Sequence, residues 1–481
     1  MNYRMIGYLL GVILMIEAAL LLLPMLVAII YGESALPFLF TIAIILAVSL
    51  PLIIFKPKNM RIYTKDGFVC VASAWILMSV FGALPFVFSG VIPNYIDALF
   101  ETVSGLTTTG ASIMTAIEGP ARMGILFWRS FTHWIGGMGV LVFMLALLPS
   151  TGGQAIYLMR AEVPGPTKDK LVPKMRQTAL ILYAIYLALT LIMIGALMLC
   201  GMDLYHASVN SLATAGTGGF SVLNSSIGGY NNPAAEWVIA IFMLLFGINF
   251  NIYFFILIKR FTDIFKNEEL RVFLILVATA VTAISVNTFT KMGGALSDRI
   301  RDSFFQVASI VSTTGYATTD YNLWPSLSKT ILIILMITGA CAGSTAGGLK
   351  LSRVLILFKT MISEVRKILR PRSVNVVRLN GDTVDGRTCH SARGYFAIYA
   401  ALLVFTTLLI SVDNFSIETN ITAALSCLNN IGPALGDIGP MGNFAEFSYF
   451  SKIILTLIML IGRLEIMPMI IFLSPFAWKK H

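Results

Sequence analysis

Histidine, cysteine and charged side chains are scarce in this sequence. Only 12% of its 481 residues are charged, and it contains 4 histidines and 5 cysteines. No two histidines form an HExxH pair, and no Gly-x-Ser-x-Gly elbow is present. The cysteines are scattered, without metal-ligand or redox spacing. These absences argue against an enzyme and against a metal or redox site.

Apolar residues dominate instead. Hydrophobic residues make up 57% of the chain and its mean hydropathy is +0.83, which is more apolar surface than a water-soluble globule can bury. About ten apolar runs have the length, roughly 20 residues, that a helix needs to cross a membrane. The composition therefore predicts an all-α polytopic membrane protein in a lipid bilayer. The predicted spans lie near 5–31, 36–55, 67–89, 123–149, 176–200, 235–258, 270–291, 328–358, 392–411 and 449–474.

Lysine and arginine predict the orientation. If the N-terminus is cytoplasmic, most of the 34 Lys and Arg residues lie in the segments on the cytoplasmic side, as the positive-inside rule requires. Both termini are then cytoplasmic. The first span is too long for a signal peptide and lacks a small-residue cleavage site, so we expect it to remain. No RNA or DNA motif accompanies the net charge of +10, so we expect no nucleic-acid partner.

Four stretches that lie outside these spans can be laid over one another without gaps. They are Phe100–Gly110, His206–Gly216, Phe305–Gly315 and Thr422–Gly432. Their last glycines recur about every 100 residues, which leaves room for two spanning helices and one half-length helix in each repeat. The sequence thus predicts four membrane-pore-membrane repeats around a pseudo-fourfold pore. We place two extra N-terminal helices in 1–60 and the repeats at 61–160, 161–262, 263–375 and 376–481.

Each stretch predicts a helix that reaches halfway into the membrane and is followed by irregular backbone. Such backbone is tolerated only where it is buried in protein or lines water. Helix C-termini aimed at that path favour a cation, and carbonyls of the following strand can replace its hydration shell. The predicted ion-binding residues are the glycines and the residues before them: Thr109, Gly110, Ala215, Gly216, Thr314, Gly315, Ile431 and Gly432.

The residues that flank these positions differ among the repeats. The flanking residues are Thr108, Thr214, Thr313 and Asn430 on one side, and Ala111, Thr217, Tyr316 and Pro433 on the other. Because unlike side chains cannot form one coordinating ring, we expect the backbone to supply most ligands. Two alternatives stay open. The stretches can be ordinary glycine-containing loops, and in repeat two Gly219 can replace Gly216.

These motifs resemble the Trk/Ktr/HKT superfamily of potassium transporters, and specifically its TrkH branch. The resemblance rests on TTTGAS at 107–112, ATAGTGGFS at 213–221, VSTTGYATTD at 311–320 and NNIGPALGDIG at 429–439. It implies potassium, with rubidium as a substitute, and no covalently bound cofactor. In this family glycine at all four filter positions accompanies potassium selectivity. The resemblance further implies a homodimer, a cytoplasmic nucleotide-binding regulatory subunit of the TrkA type, and a bacterial inner membrane.

Glycine and small residues interrupt the predicted span at 328–358. The run 339–348 weakens a helix by about 1 kcal/mol for each glycine, so we expect a break that faces the cavity. In the resembling family the corresponding loop obstructs the pore below the filter. The gate residues carried over are Gly343, Ser344, Thr345, Ala346, Gly347 and Gly348. Close packing of small residues is the alternative.

Arg463 lies near the middle of the last predicted span, where an unpaired cation costs at least about 2.5 kcal/mol. It must therefore face protein or water, and the family resemblance implies that it projects into the pore. A salt bridge to another helix is the alternative. We interpret Arg129 and His133 as a structural polar cluster or as side chains that snorkel to the outer surface, and Glu17 has no assigned partner.

The remaining observations concern function class and the cytoplasmic side. Residues 374–384 predict a β-hairpin around an Asn-Gly turn, which needs a neighbour because it has no core of its own. A proton- or sodium-coupled symporter is the alternative function, since broken helices also occur in coupled transporters. An intramembrane enzyme is a more remote alternative function.

Overall fold

The computed structural model describes residues 1–55, 57, 63–120, 122–139, 175–372 and 375–478. Apart from one short hairpin, the regular structure in these ranges is helical. The α-helices are Tyr3–Leu20, Leu22–Ile30, Leu36–Ile54, Thr64–Gly82, Leu84–Phe88, Tyr95–Leu106, Met123–Gly137, Met175–Leu199, Leu204–Gly216, Pro233–Gly247, Phe250–Leu257, Phe261–Lys266, Glu268–Met292, Leu296–Val311, Ser326–Ile337, Leu351–Leu369, Gly386–Ile410, Ile417–Asn429, Tyr449–Arg463, Met467–Leu473 and Pro475–Trp478. The strands are Arg378–Leu379 and Asp382–Thr383.

Six helices of the described chain are long and apolar enough to cross a membrane, or seven if one bent pair counts as a span. They correspond to the predicted spans that begin near 5, 36, 67, 176, 270 and 392. Tyr3–Ile30 and Leu36–Ile54 are the two extra N-terminal spans, and they pack against each other. The predicted all-α polytopic fold is confirmed.

Four short helices enter the molecule between the long ones, one in each predicted repeat. These pore helices are Tyr95–Leu106, Leu204–Gly216, Leu296–Val311 and Ile417–Asn429. They contain 12 to 16 residues, fewer than a bilayer crossing needs. Side chains of Asn94, Asp203 and Ser416 accept hydrogen bonds from the first-turn amides of three of them. These caps define where the pore helices begin.

The helix that follows each pore helix is called the inner helix of its repeat. The inner helices begin with Met123–Gly137, Pro233–Gly247, Ser326–Ile337 and Tyr449–Arg463. The sequence predicted one interruption, at 339–348, which lies between Ser326–Ile337 and Leu351–Leu369. The predicted spans at 235–258 and 449–474 are interrupted as well, which the sequence did not predict. The first bends by 91° between Gly247 and Phe250, and the second is broken before Met467.

These two breaks have local causes that an apolar sequence run does not reveal. The Asn249 side chain accepts a hydrogen bond from the Asn251 amide and starts a new helix there. Glu465 and Ile466 both have positive φ, which no continuous helix contains. The predicted span 123–149 is helical from Met123 to Gly137, and its part from residue 140 onward lies outside the described residues.

Inner helices pack against pore helices through bare glycine Cα atoms. A Cβ on Gly136 would collide with the Leu106 carbonyl oxygen at the end of the first pore helix. A Cβ on Gly462 would meet the Leu428 carbonyl oxygen in the same way in repeat four. The glycines therefore determine how closely the two kinds of helix approach.

The predicted hairpin is confirmed, and its neighbour belongs to the same chain. Arg378 pairs with Thr383 and Leu379 with Asp382, and Asn380 and Gly381 have the positive φ of a tight turn. Its turn lies against the start of the helix Glu268–Met292, where the Asn380 Oδ1 accepts from the Glu268 amide at 2.8 Å.

Alanine at position 136 should destabilise the fold, because the new methyl group meets a backbone carbonyl that cannot rotate away. We expect Gly136→Ala to reduce the free energy of unfolding by about 1–3 kcal/mol. Thermal melting of the detergent-solubilised protein, followed by loss of its monodisperse peak, measures this. Gly195→Ala is the matched control, because among the described residues no atom outside its own helix backbone lies within 4 Å of the added Cβ. Equal melting temperatures for the two variants would contradict the packing argument.

Candidate ion-conducting site

The chain leaves each pore helix through the same backbone conformation. In every repeat, a residue just beyond the pore helix adopts positive φ, and a glycine two positions later does the same. The pairs are Thr108 and Gly110, Thr217 and Gly219, Thr313 and Gly315, and Asn430 and Gly432. Between them, the amide of the intervening residue donates back to the pore helix at 2.8 to 3.0 Å in all four repeats. We call the segments 107–112, 217–221, 312–317 and 430–434 the re-entrant segments.

The four re-entrant segments surround a common axis. A Cβ added to any of these four glycines would collide with a backbone carbonyl oxygen of a different repeat. In each case that oxygen belongs to the residue that precedes the positive-φ glycine of the other repeat. The contacts close a ring: Gly110 faces Gly218, Gly219 faces Thr314, Gly315 faces Ile431, and Gly432 faces Thr109. All four glycines line one small cavity of about 80 Å³. Only glycine can occupy these positions without displacing the neighbouring backbone.

In repeat two, Gly219 stands in this ring and Gly216 does not. Gly216 is the last residue of the pore helix Leu204–Gly216, and its Cα packs against the His133 backbone. The choice of Ala215 and Gly216 by common spacing is therefore a register error of three residues. The intervening residue is Gly218, and Thr217 corresponds to Thr108.

A signal for the correct register was present in the sequence. Counting from Gly219, the next residue is Phe220, which corresponds to the aromatic Tyr316 of repeat three, and Ser221 corresponds to Ser112 of repeat one. The Thr-x-Gly pattern could not discriminate, because Thr214 and Thr217 both precede a glycine by two residues.

The carbonyl groups of the ring have no hydrogen-bond donor in the part of the protein that the structure describes. Within the described ranges, no hydrogen bond reaches the oxygen of Thr109, Gly218, Thr314 or Ile431. The Thr109, Thr314 and Ile431 residues are fully buried. Buried peptide groups without partners are rare and costly, so these oxygens need a partner that the described residues do not supply.

A buried ion pair contacts the backbone at the ends of the first two re-entrant segments. Arg129 Nε lies 2.6 Å from Glu101 Oε1, and both side chains are almost completely buried. Arg129 also donates to the Ser221 carbonyl at 2.8 Å and covers the Phe220 ring at 3.6 Å. Glu101 accepts from the Ile113 amide at 2.9 Å. One charged pair thereby joins the backbone of repeat one to that of repeat two.

His133 adds a second link between the same repeats. Its Nε2 accepts from the Phe220 amide at 3.2 Å, and its Nδ1 lies 2.7 Å from the Gly105 carbonyl oxygen. Accepting at Nε2 and donating at Nδ1 requires the neutral ring. The predicted polar cluster of Arg129 and His133 thus contacts the re-entrant segments directly.

Uncharged side chains support the other two segments. The Tyr316 hydroxyl lies 3.3 Å from the carbonyl oxygens of both Asn210 and Phe220, and therefore joins repeat three to repeat two. The Tyr321 hydroxyl donates to the Ala434 carbonyl at 3.0 Å, which joins repeat three to repeat four. Ser426 Oγ donates to the Gly432 carbonyl at 2.7 Å.

The interrupted segment of repeat three lies against the ends of two pore helices. The Gly347 amide donates to Thr313 Oγ1 at 2.7 Å, and a Cβ on Gly347 would meet the Asn429 carbonyl oxygen. Thr345 Oγ1 donates to the Phe246 carbonyl at 3.2 Å, and Lys350 donates to the Ala346 carbonyl. Gly343 and Gly348 have positive φ, while Ser344 is half-buried. We call residues 338–350 the intramembrane loop.

Arg463 extends from the last inner helix into the same region. Its guanidinium donates to Thr108 Oγ1 at 3.0 Å and to the Thr345 carbonyl at 2.8 Å. It also donates to the Gly137 carbonyl at 2.9 Å and to the Gly136 carbonyl. The cation thus contacts a re-entrant segment, the intramembrane loop and the first inner helix. Glu465 pairs with Arg353.

Glu17 lies outside this arrangement. It is fully buried in the first N-terminal helix, and neither carboxylate oxygen has a hydrogen-bond partner among the described residues.

The chain resembles known proteins over its whole length. The family model for TrkH, described as a cation transport protein, matches residues 35–480. The chain is 34% identical over 491 residues to the Trk system potassium uptake protein TrkH of Escherichia coli K12, with 100% of each chain covered. It is 33% identical over 484 residues to the Trk system potassium uptake protein TrkG of that strain, with 99% of each covered. The crystal structure of the potassium transporter TrkH from Vibrio parahaemolyticus matches with a TM-score of 0.89 at 29% identity, covering 100% of each chain.

These similarities agree with the architecture. The six long apolar helices make this a multi-pass membrane protein, and the matched family consists of transporters, not enzymes. Because the family model covers nearly the whole chain, the chain belongs to the TrkH family of cation transport proteins.

Proposed function

We propose that this protein takes up potassium through a path lined by the four re-entrant segments. The observation that carries the proposal is the ring of buried carbonyl oxygens at Thr109, Gly218, Thr314 and Ile431, which receive no hydrogen bond from the described residues. Carbonyl oxygens in a water-excluded site can take the place of an ion's hydration shell. The names of the relatives, which are potassium uptake proteins, support potassium as the ion.

The pore helices favour a cation at this ring. Each one ends where its re-entrant segment begins, so the partial negative charge of its C-terminus is directed toward the ring. Four such ends add their fields in a region from which water is largely excluded. An anion would be repelled by the same arrangement.

The intramembrane loop and Arg463 act as the gate in this proposal. The loop lies against the ends of the third and fourth pore helices, and Arg463 joins it to Thr108 of the first re-entrant segment. A fixed positive charge on the ion path raises the barrier for another cation. Release of the loop and of Arg463 together would open the path.

We propose the orientation and the assembly that the sequence predicts. In this proposal both termini and the hairpin lie on the cytoplasmic side, because the positive-inside rule places the segments rich in Lys and Arg there. The resemblance to the TrkH family implies that the membrane is a bacterial inner membrane. A homodimer and a cytoplasmic nucleotide-binding subunit of the TrkA type are the proposed partners. The repeats run 61–160, 161–262, 263–375 and 376–481.

Ion flux into liposomes that contain only the purified protein tests this function. Without a regulator or a pH gradient, we expect passive uptake of potassium and rubidium that largely excludes sodium. Flux that appears only with an imposed proton or sodium gradient would replace the channel-like mechanism with coupled symport. No flux of any cation under either condition would contradict the proposal.

A hydroxymethyl group in the ring should weaken selectivity. In Gly110→Ser and Gly219→Ser, the added Cβ collides with the Gly218 and Thr314 carbonyls, which must move away from their positions. We expect the potassium-to-sodium permeability ratio to fall by about tenfold, the equivalent of losing about 1.4 kcal/mol of discrimination. Liposome flux measures the ratio, with Gly195→Ser as the control. An unchanged ratio in the folded Gly219→Ser variant would remove Gly219 from the filter.

Removal of the Arg463 charge should increase flux. Arg463→Ala deletes the bonds to Thr108 and Thr345 together with the positive charge, so the barrier to cations falls. We expect potassium flux to rise by about tenfold, because each 1.4 kcal/mol removed from a barrier corresponds to tenfold in rate. Lys329→Ala, which removes a cation paired with Glu418 at 3.8 Å, is the control and should leave flux unchanged. Equal or lower flux in well-folded Arg463→Ala protein would assign Arg463 a purely structural role.

A further inference from the structure

Both ends of the intramembrane loop are held by a single carboxylate. Glu269 Oε1 accepts hydrogen bonds from the Ala342 amide at 2.8 Å and from the Ser352 amide at 2.9 Å. Ala342 lies within the loop, and Ser352, ten residues further along the chain, lies just after it. Glu269 is 6% exposed, so water does not compete strongly for these bonds. The carboxylate thus ties Ala342 of the loop to Ser352 of the helix that follows it.

This carboxylate also caps the helix that follows the loop. Leu351–Leu369 begins after Lys350, whose side chain makes no capping bond. The first-turn amides of a helix need acceptors, and a negative charge at that end is stabilising. Glu269 supplies both from the neighbouring helix Glu268–Met292. The position of the loop therefore depends on a residue of another helix.

The loop is further docked on the bend in the second inner helix. The Cys341 amide donates to the Gly247 carbonyl at 3.1 Å, and the Phe250 amide donates to the Gly343 carbonyl at 3.0 Å. A Cβ on Gly343 would approach the Asn249 side chain at 3.0 Å. Glu269 and this bend hold the two sides of the loop base.

The adjacent residue, Glu268, holds the hairpin. Glu268 Oε1 lies 2.5 Å from Lys359 Nζ, which also donates to the Arg378 carbonyl at 2.8 Å. The Glu268 amide donates to Asn380 Oδ1 at 2.8 Å, and the Asn380 amide donates to Glu268 Oε2 at 3.4 Å. Neighbouring residues of a helix point about 100° apart. The side chain of Glu269 can therefore contact the loop while the side chain of Glu268, in the same helical turn, contacts the hairpin.

We infer that the first turn of Glu268–Met292 is a mechanical link between the hairpin and the gate, in which Glu269 is a positioning residue that keeps the loop closed and Glu268 reports the position of the hairpin. This inference rests on the proposed gating function. A partner that pulls the hairpin away from Glu268 shifts the turn and loosens the hold of Glu269 on Ala342 and Ser352. The gate opens without any contact between the partner and the pore.

Basal flux into liposomes tests the role of Glu269. Loss of two charge-assisted hydrogen bonds in Glu269→Ala should raise potassium flux by about tenfold. Glu269→Gln keeps a carbonyl acceptor but loses the charge, so it should raise flux by less, and it provides the test if the alanine variant does not fold. Glu364→Ala is the control: it removes a half-exposed glutamate outside the loop contacts, which pairs with Lys367 at 3.2 Å. Its flux should equal that of the unmodified protein.

A double-mutant cycle tests the link itself. Glu268→Ala alone should raise flux, and in the Glu269→Ala background it should add nothing, because the transmitting residue is already absent. Independent, multiplicative effects would overturn the link. Unchanged flux in folded Glu269→Gln and Glu269→Ala protein, while Arg463→Ala raises flux, would overturn the inference and leave the gate intact. Unchanged flux in Arg463→Ala as well would overturn both.

Discussion

The need for hydrogen-bond partners at every backbone peptide group within the membrane constrains the whole molecule. Each pore helix ends inside the protein, and the following segment can no longer satisfy its own amides and carbonyls. The amides of Thr109, Gly218, Thr314 and Ile431 bond back to their pore helices. Their carbonyl oxygens are left without a protein donor in the described ranges. A ring of such oxygens is stable only if a cation or water completes it, which is why the proposed transport site and the fold have the same origin.

The backbone of this ring is close to fourfold symmetry, but the side chains that hold the four repeats together differ from one another. Repeats one and two are joined by the buried ion pair of Glu101 and Arg129. Repeats three and four are joined by the neutral hydroxyl of Tyr321. Removing one member of a buried ion pair is costly, by about 3–5 kcal/mol. The two halves of the ring are therefore supported by different side chains, although their four glycines all adopt positive φ.

Breaks in the inner helices give the region below the ring its form. The bend at Asn249 and the positive φ of Glu465 and Ile466 each interrupt a helix there. The intramembrane loop fills the space and contacts backbone freed by the bend, so one break supplies the bonding partners for another. This mutual satisfaction explains why irregular segments cluster at one depth.

The sequence by itself determined the class of the protein, because long apolar runs and a basic side have no other stable arrangement. It also located the four pore helices and three of the four ring glycines, Gly110, Gly315 and Gly432. The register of repeat two was ambiguous, since Gly216 and Gly219 lie almost one helical turn apart and a threonine precedes each by two residues. Only the tertiary structure decided it, through the contact of Gly219 with Thr314 and of Gly216 with His133. The helix breaks and the bonds of Glu269 likewise depend on residues far apart in the chain, and such contacts leave no periodic signal in a sequence.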